Sequence, residues 1–323
     1  MFRKGNFPLF KENKCPRIFT PGEGTMSEKL WKTHALAWKA AGIFFEWKRK
    51  KIFYRTGGTG ENLLLLHGFP TSSWDWKDLW ESLTSRYHVI ALDYLGFGFS
   101  DKPKGGHYSV FQYADQAEDL LQDLKIDEVH LLAHDLGDTV AQELLARFRE
   151  KLAGQRIGGP DLKSAFLLNG GIFPETHRPR TIQKLLNGPF GFFFSNLLNK
   201  SSFERNLSEI FGPETKPSKE ELDGFWECVS NGGGRSVYHK LIRYIRERKL
   251  FRERWVGAIL DFPVPFAFGD GLIDPVSGIQ VVQRLKQFRP EAKIYEFPKI
   301  GHYPQTEAPE DVLKAYYNFR SQL

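Results

Sequence analysis

Short apolar runs alternate along this chain with segments whose apolar residues lie three to four positions apart. The runs predict buried strands, because a strand covered on both faces of a parallel sheet is apolar throughout. They lie at residues 63–66, 87–92, 129–132, 162–168 and 263–268, and residues 292–297 are predicted as a further strand because apolar and polar residues alternate there. The intervening segments, which include residues 73–83 and 108–124, have the spacing of amphipathic helices. Strands alternating with helices predict a mostly parallel central sheet with helices on both faces.

This alternation is absent from two parts of the chain. Residues 1–30 are polar and contain three prolines, which favours an N-terminal arm without regular structure. Residues 172–261 have a mainly helical pattern and separate a core of residues 31–171 and 262–323 into two parts. We interpret this insertion as a cap domain that covers the sheet edge. Its phenylalanines at 190 and 192–194 are expected to pack inside the cap, with a substrate-lining role as the alternative.

A tight turn is predicted where the strand at 129–132 leads into the following helix. The turn reads Ala-His-Asp-Leu-Gly at 133–137, a small residue and a glycine flanking the tip residue Asp135. This is the pattern of a nucleophile elbow in an α/β-hydrolase. A serine attacking saturated carbon would leave a stable ether, whereas a carboxylate leaves an ester that water can cleave. An aspartate at the tip therefore predicts epoxide opening or carbon–halogen cleavage.

An acid and a base follow the elbow in the chain order of such hydrolases. Asp274 comes after the strand at 263–268 and is the expected acid. Asp270 is the alternative, although the glycines beside it also favour a simple turn residue. His302 follows the last predicted strand on a loop before the final helix, where it is the expected base.

The loop His67-Gly68-Phe69-Pro70 follows the four-leucine strand at 63–66. In this motif order it supplies one backbone N–H of an oxyanion hole, which we assign to Phe69, and Leu136 supplies the second. His67 is expected to hold the loop by hydrogen bonds rather than to take part in catalysis.

Charge and composition exclude several other classes of protein. The net charge is +6, with basic runs at 48–51 and 243–254, yet no nucleic-acid-binding motif is present. Such patches are usually solvated, and contact with an acidic membrane surface is the alternative. No signal peptide and no apolar run of about 18 residues is visible, and the two cysteines are far apart. We therefore expect a cytoplasmic protein, peripheral at most to an intracellular membrane.

No cofactor and no metal site are expected. The glycines at 96 and 98 lack the third glycine and the immediate helix of a dinucleotide-binding loop. The expected partner is a small apolar substrate, and the sequence predicts no oligomeric state.

Several segments resemble the epoxide-hydrolase-like branch of the α/β-hydrolases, and within it the mesoderm-specific transcript proteins. They are Leu-Leu-His-Gly-Phe-Pro-Thr-Ser-Ser at 65–73, Gly-Phe-Gly-Phe-Ser-Asp-Lys-Pro at 96–103, His-Asp-Leu-Gly-Asp at 134–138, Asn-Gly-Gly-Ile-Phe-Pro-Glu-Thr-His-Arg-Pro at 169–179, Arg-Glu-Arg-Trp-Val-Gly-Ala at 252–258 and His-Tyr-Pro-Gln at 302–305. The resemblance covers roughly residues 35–323. It implies that Asp135, Asp274 and His302 act as nucleophile, acid and base.

The resemblance also implies roles for residues around this triad. Cap tyrosines of epoxide hydrolases donate to the epoxide oxygen, and Tyr244 matches one such position, while Tyr238 is the weaker option for a second. A packed, structural tyrosine is the alternative at position 244. His134 and Tyr238 are expected to contact the substrate. Leu136 stands where dehalogenases have a halide-binding tryptophan, which argues against dehalogenation.

Asp138 is unusual at a position that normally carries a small residue. It lies three positions from Asp135, and like-charge repulsion is expected to raise the pKa of the nucleophile. Together the sequence favours a hydrolase that opens an apolar epoxide to a diol through a covalent alkyl-aspartyl ester. The alternatives are a haloalkane dehalogenase and a non-catalytic lipid-binding or scaffold protein on a hydrolase fold.

Overall fold

The computed structural model describes residue 30, residues 34–261 and residues 264–323. The N-terminal arm predicted at residues 1–30 therefore lies outside the described residues, apart from Leu30, as does Pro263 of a predicted strand. The strands are β1 (Ile43–Trp47), β2 (Lys50–Gly57), β3 (Asn62–Leu66), β4 (His88–Leu92), β5 (Glu128–His134), β6 (Asp161–Leu168), β7 (Phe266–Gly271) and β8 (Lys293–Phe297).

These eight strands form one sheet in the order β1-β2-β4-β3-β5-β6-β7-β8. Strand β2 pairs antiparallel with both β1 and β4, and every other pair is parallel. Leu63–Leu66 of the central strand β3 are completely buried, as the four-leucine run predicts for a strand covered on both faces. The predicted class, a mostly parallel sheet with helices, is confirmed.

Helices of the sheet domain pack on both sides of the strands. They are α1 (Ala35–Ala40), α2 (Trp80–Thr84), α3 (Val110–Asp123), α4 (Leu136–Leu152), α12 (Ile279–Phe288), α13 (Pro304–Glu307) and α14 (Pro309–Arg320). The single helix predicted over 73–83 is wrong: a 3-10 turn at Ser73–Trp76 precedes the short α2. Trp74 and Trp76 are both fully buried, whereas an α-helix points residues two positions apart to different sides.

The segment between β6 and β7 is helical, in the region predicted as a cap. Its helices are α5 (Thr181–Asn187), α6 (Gly191–Leu197), α7 (Lys200–Ser208), α8 (Lys219–Ser230), α9 (Tyr238–Leu241), α10 (Tyr244–Leu250) and α11 (Arg252–Leu260), with a 3-10 turn at Asn231–Val237. Within the described ranges, no helix combines the length and apolarity needed to cross a bilayer.

The expectation that the phenylalanines of this segment form its interior is wrong for three of the four. Phe190, Phe192 and Phe193 are 72%, 64% and 59% exposed, and Phe194 is half-buried. Other aromatic residues of the segment are buried instead, including Phe203, and also Phe225 and Trp255, which pack against residues of the sheet domain.

Candidate active site

The elbow between β5 and α4 holds Asp135 in a backbone conformation that few non-glycine residues adopt. Its φ is 48° and its ψ is −103°, and the residue is only 3% exposed. Gly137 allows the turn to sit close to the neighbouring strand, because an added Cβ would lie 2.1 Å from the backbone oxygen of Leu66. The elbow is therefore built by close backbone packing of α4 against β3.

His302 and Asp274 form a buried pair beside the elbow. The Nδ1 of His302 donates to Oδ2 of Asp274 at 2.7 Å. The same carboxylate accepts hydrogen bonds from Asn169, Ser277 and the backbone N–H of Val276. Burial alone would raise the pKa of Asp274 and lower that of His302, but their mutual attraction reverses both. The pKa of Asp274 lies below its ordinary value, and that of His302 is raised to about 9.

The rival acid, Asp270, lies within β7 and not beside the histidine. Both of its carboxylate oxygens are buried without a hydrogen-bond partner. Burial and the nearby Asp274 raise the pKa of Asp270 well above its usual range, so it is neutral. The structure therefore brings Asp274, rather than Asp270, to His302.

The carboxylate of Asp135 is held from three directions. Its Oδ2 accepts the backbone N–H of Phe69 at 3.0 Å and the hydroxyl of Tyr244 at 3.3 Å. Arg248 lies 3.4 Å from Oδ1 through Nη2 and donates to the backbone carbonyl of Asp135 at 2.8 Å. Burial would raise the pKa of Asp135, but the charges of Arg248 and His302 bring it below its ordinary value. The candidate nucleophile is therefore ionised although it is buried.

The pKa of Asp135 is lowered rather than raised, so the rise expected from the neighbouring Asp138 is wrong. Burial first, and the negative charge of Asp135 second, raise the pKa of Asp138 well above the ordinary value. Asp138 is therefore the neutral member of the pair, and it places no negative charge beside the nucleophile. Arg248, 3.4 Å from the carboxylate of Asp135, is the largest of the charges that lower the pKa of Asp135, and at Asp138 its smaller effect is outweighed by burial.

Tyr238 and Tyr244 reach the elbow from the helical segment. Both rings pack around Phe69, with centroid distances of 5.6 Å and 5.9 Å. The hydroxyl of Tyr238 donates to the carbonyl of Pro70 at 2.9 Å. Burial raises the pKa of each tyrosine well above its usual range, and the charge of Asp135 adds to this at Tyr244. Both hydroxyls are therefore protonated and can donate.

An apolar cavity opens between the sheet domain and the helical segment. Phe69, Pro70, Tyr238, Val276 and His302 line its floor. Its other walls come from α5, α7 and the segments that follow them, namely Arg180, Ile182, Gln183, Leu186, Leu198, Phe203, Asn206, Leu207 and Ile210. A wider cleft along β8 and α14 lies away from these residues and has no such catalytic set.

Two histidines near the elbow have supporting positions. His134 is buried, and its Nε2 donates to the backbone carbonyl of His302 at 2.7 Å, while its expected contact with the substrate stays a prediction. His67 holds its loop, as the sequence predicts: Nδ1 donates to the carbonyl of Gly68 and Nε2 accepts the N–H of Tyr94. Burial lowers the pKa values of His134 and His67 to about 3 and about 4, so both are neutral.

Two residues of the site, Arg248 and His177, were not identified from sequence. Arg248 also donates to Thr139 at 2.6 Å, while its Nη1 is buried without a hydrogen-bond partner. Both ring nitrogens of His177 are likewise unpartnered, and burial lowers its pKa to about 4. His177 lies in the family-specific segment at 169–179, which was the available signal. Arg248 lies in a basic run that looked like a solvated surface.

The elbow, the Asp274–His302 pair and the sheet define an α/β-hydrolase. The α/β-hydrolase fold family matches residues 61–309, and the chain belongs to that family. Within it the chain belongs with the mesoderm-specific transcript proteins. It is 45% identical to the mesoderm-specific transcript homolog proteins of Homo sapiens and of Bos taurus over 294 residues, which cover 88% of this chain and 87% of each relative.

Solved structures with lower sequence identity share the fold. The haloalkane dehalogenase DbeA of Bradyrhizobium elkani superposes with a TM-score of 0.71 at 21% identity, covering 87% of this chain and 99% of its own. The epoxide hydrolase CorEH superposes with a TM-score of 0.69 at 19% identity, covering 87% and 98%. At these identities the likeness concerns the fold alone.

Proposed function

We propose that this protein hydrolyses an apolar epoxide to a diol through a covalent ester on Asp135. The observation that carries the proposal is the set of groups around one carboxylate. Asp135 is ionised, one of its oxygens accepts an oxyanion-type backbone N–H, and a cap tyrosine hydroxyl lies at 3.3 Å. An ionised carboxylate beside a protonated acid is what ring opening requires.

In the first step, Oδ1 of Asp135 attacks a ring carbon while Oδ2 stays on the N–H of Phe69. The ring C–O bond breaks as the C–O bond to Asp135 forms. The leaving oxygen takes a proton from Tyr244, with Tyr238 as the second donor on the cavity side. Arg248 and the neutral Asp138 keep the buried carboxylate ionised without competing negative charge.

In the second step, water attacks the carbonyl carbon of the ester. His302, oriented by Asp274, takes a proton from this water, and the N–H groups of Phe69 and Leu136 stabilise the oxyanion. The tetrahedral intermediate collapses by breaking its bond to the alkyl oxygen, which leaves as the diol with the proton from His302. Asp135 is left protonated and returns this proton to the phenolate oxygen of Tyr244, 3.3 Å away, which restores both groups. In the free protein His302 is protonated, because the charges of Asp274 and Asp135 raise its pKa to about 9. Forming the neutral ester removes the charge of Asp135 and lowers this pKa, so the imidazole gives its proton to solvent before it acts as the base.

Two observations favour this chemistry over the alternatives. Leu136 is a buried aliphatic residue and offers no N–H from its side chain to a halide, whereas the two tyrosines offer protons to an oxygen leaving group. A protein that only bound lipid would have no use for a strained elbow whose carboxylate meets both a backbone N–H and a tyrosine hydroxyl.

Trapping the ester tests the proposal. The variant His302→Gln retains the nucleophile and the tyrosines but lacks the base, so it should accumulate the ester after incubation with an aryl or alkyl epoxide. Intact-protein mass spectrometry should show an increase equal to the whole epoxide, mapped to the peptide that contains Asp135. His302→Gln combined with Asp135→Asn is the matched control and should show no adduct. If epoxides gave no adduct and bromoalkanes gave an adduct equal to the alkyl group without bromine, the protein would be a dehalogenase instead.

A single turnover of the wild-type protein in heavy-oxygen water tests the two-step order. Water attacks the ester carbonyl, so the label should enter Asp135, and the first diol should carry the unlabelled carboxylate oxygen. Label found in the first diol and not in Asp135 would show direct attack of water on the epoxide, which contradicts the covalent step.

A further inference from the structure

Helix α6 has its apolar side toward solvent. Phe192, Phe193 and Leu197 on this helix and Phe190 just before it are 64%, 59%, 57% and 72% exposed. At 3.6 residues per turn, these four positions cover one side of the helix. Leu185 at the end of the neighbouring α5 is also exposed. We call Phe190, Phe192, Phe193 and Leu197 the aromatic face.

The buried side of α6 carries small residues, and their close packing keeps the phenylalanines of the aromatic face exposed. Gly191 faces the interior, and an added Cβ would lie 2.0 Å from the backbone oxygen of Leu186 and 3.1 Å from Cβ of His239. Ser195, one turn later, is buried and donates to the carbonyl of Arg235. A half-turn rotation that buried the phenylalanines would need space that Gly191 and Ser195 do not leave.

Positive charge surrounds the aromatic face. Residues 176–203 contain four Arg or Lys and no Asp or Glu, and the same is true of residues 228–246. Of these cations, Arg180 and Lys200 pair with acidic residues outside the two segments. The two segments are in contact: Arg246 donates to the carbonyl of Asn187 at the end of α5, and the ring of His239 packs at 5.5 Å from that of Phe192. An apolar face within such a cationic field complements a surface that is both apolar and anionic.

The aromatic face lies next to the cavity. Leu186, on α5, and Leu198, directly after α6, line the cavity, while Leu185 and Leu197 beside them are exposed. The same two helices thus separate the aromatic face from the substrate cavity. An apolar molecule dissolved in a bilayer would meet this face before it reached the cavity.

We propose that the aromatic face and the Lys and Arg residues around it dock the protein on an anionic lipid bilayer. The phenylalanines enter the boundary between headgroups and acyl chains, and Lys184, Arg243 and Arg246 contact the lipid phosphates. We choose a lipid surface over nucleic acid as the partner. Exposed phenylalanine side chains gain free energy when they leave water for the acyl chains, but they cannot form hydrogen bonds to the edges of bases. This inference does not depend on the bond that the site cleaves.

Vesicle sedimentation of the full chain tests the proposal. Wild-type protein should bind vesicles of phosphatidylcholine with roughly one-third phosphatidylserine and bind phosphatidylcholine alone much more weakly. Changing Phe190, Phe192 and Phe193 together to serine should weaken binding about tenfold or more. The matched control changes three exposed apolar residues elsewhere, Leu152, Ile157 and Leu323, to serine and should bind like the wild type.

A second pair of variants tests the charge. Lys184→Gln, Arg243→Gln and Arg246→Gln together should weaken binding to the anionic vesicles by about tenfold or more. The control removes three charges from the other basic run, through Lys48→Gln, Arg49→Gln and Lys51→Gln. This control should keep most of the binding, which separates a local contact from an effect of net charge. Circular dichroism and thermal melting establish that each variant is folded.

Three results would overturn the proposal. One is an absence of wild-type binding to the anionic vesicles, and another is equal binding by the phenylalanine variant. The third is concentration-dependent self-association that is lost in the phenylalanine variant while vesicle binding is absent, which would make the aromatic face a contact between copies of the chain.

Discussion

The Asp135 carboxylate is buried, yet it remains ionised because two positive groups from distant parts of the chain compensate it. Arg248 comes from the helical segment, and His302 comes from the loop before α13. Asp138, much nearer in sequence, stays neutral. At the scale of the residue, the chemistry therefore follows from which charges lie close in space. Three predictions concern the residues around this carboxylate.

Removing the Tyr244 hydroxyl should slow ring opening. Tyr244→Phe keeps the ring against Phe69 but removes the proton donor, so we expect a loss of about 10- to 10,000-fold in the rate of ester formation from an epoxide. Stopped-flow or quenched-flow measurement of a single turnover reports this step. A bromoalkane, whose leaving group needs no proton, is the control substrate. An equal loss in the rate of ester formation with both substrates would show that Tyr244 acts by packing and not as a proton donor.

The charge on Asp135 should set the pKa of His302. In the wild type this pKa is raised to about 9 despite burial, through Asp274 and then Asp135. Asp135→Asn removes one of these charges, as ester formation does, so the pKa of His302 should fall toward its ordinary value. Titration of the histidine ring signals by NMR measures it. Asp138→Asn is the control and should leave it unchanged, because Asp138 is already neutral. An unchanged value in Asp135→Asn would contradict the proposed coupling.

Stability should follow the same titration. Because the folded-state pKa of His302 lies above its ordinary value of 6.5, the pair with Asp274 stabilises the fold fully below about 6.5. This contribution is lost as the pH rises through about 9. His302→Gln should therefore flatten the decline in the free energy of unfolding between these pH values, as measured by urea denaturation. An equally steep decline in the variant would place the titrating group elsewhere.

At the scale of the element, the elbow depends on the closeness of α4 to β3. Gly137→Ala should lower the free energy of unfolding by about 2 kcal/mol and reduce activity, because its Cβ would meet only backbone atoms of Leu66 and His67. Gly105→Ala is the control, since an added Cβ at that loop position has no neighbour within 4 Å. Chemical denaturation of both variants tests the difference, and similar values would show that α4 shifts without strain.

At the scale of the whole molecule, a buried carboxylate is one of several contacts that join α11 of the helical segment to α4 of the sheet domain. Glu143 on α4 is 1% exposed and accepts hydrogen bonds from Arg147, Arg254 and the ring N–H of Trp255. This cluster lies across the interface between α4 and α11. The position of Tyr244 and Arg248, just before α11, depends on it.

Glu143→Gln should destabilise the protein by about 3 kcal/mol, because it leaves buried arginine charge incompletely paired. Glu253→Gln is the matched control: this side chain is 91% exposed and its pair with Arg252 should contribute less than about 1 kcal/mol. Thermal and urea denaturation measure both. Equal stability of the two variants would show that packing, and not charge, holds α11 on α4.

Local patterns in the sequence determined the sheet, its alternation with helices and the order of Asp135, Asp274 and His302. Each of these follows from a residue and its near neighbours: a leucine run buried on both faces, or a small residue and a glycine at a tight turn. The 3-10 turn at Ser73–Trp76 was not predicted, because the burial of Trp74 and Trp76 depends on surfaces contributed by the rest of the fold.

The tertiary structure alone decided the electrostatics of the site and the character of the helical segment. Arg248 meets Asp135 across 113 positions of sequence, and this contact holds the pKa of Asp135 below its ordinary value, whereas burial and the charge of Asp135 raise the pKa of Asp138. The phenylalanines of α6 face outward because the space beneath the helix admits only Gly191 and Ser195. Both outcomes depend on distances through space, since the energy of a buried charge or a close contact is set by whichever atoms the fold brings beside it.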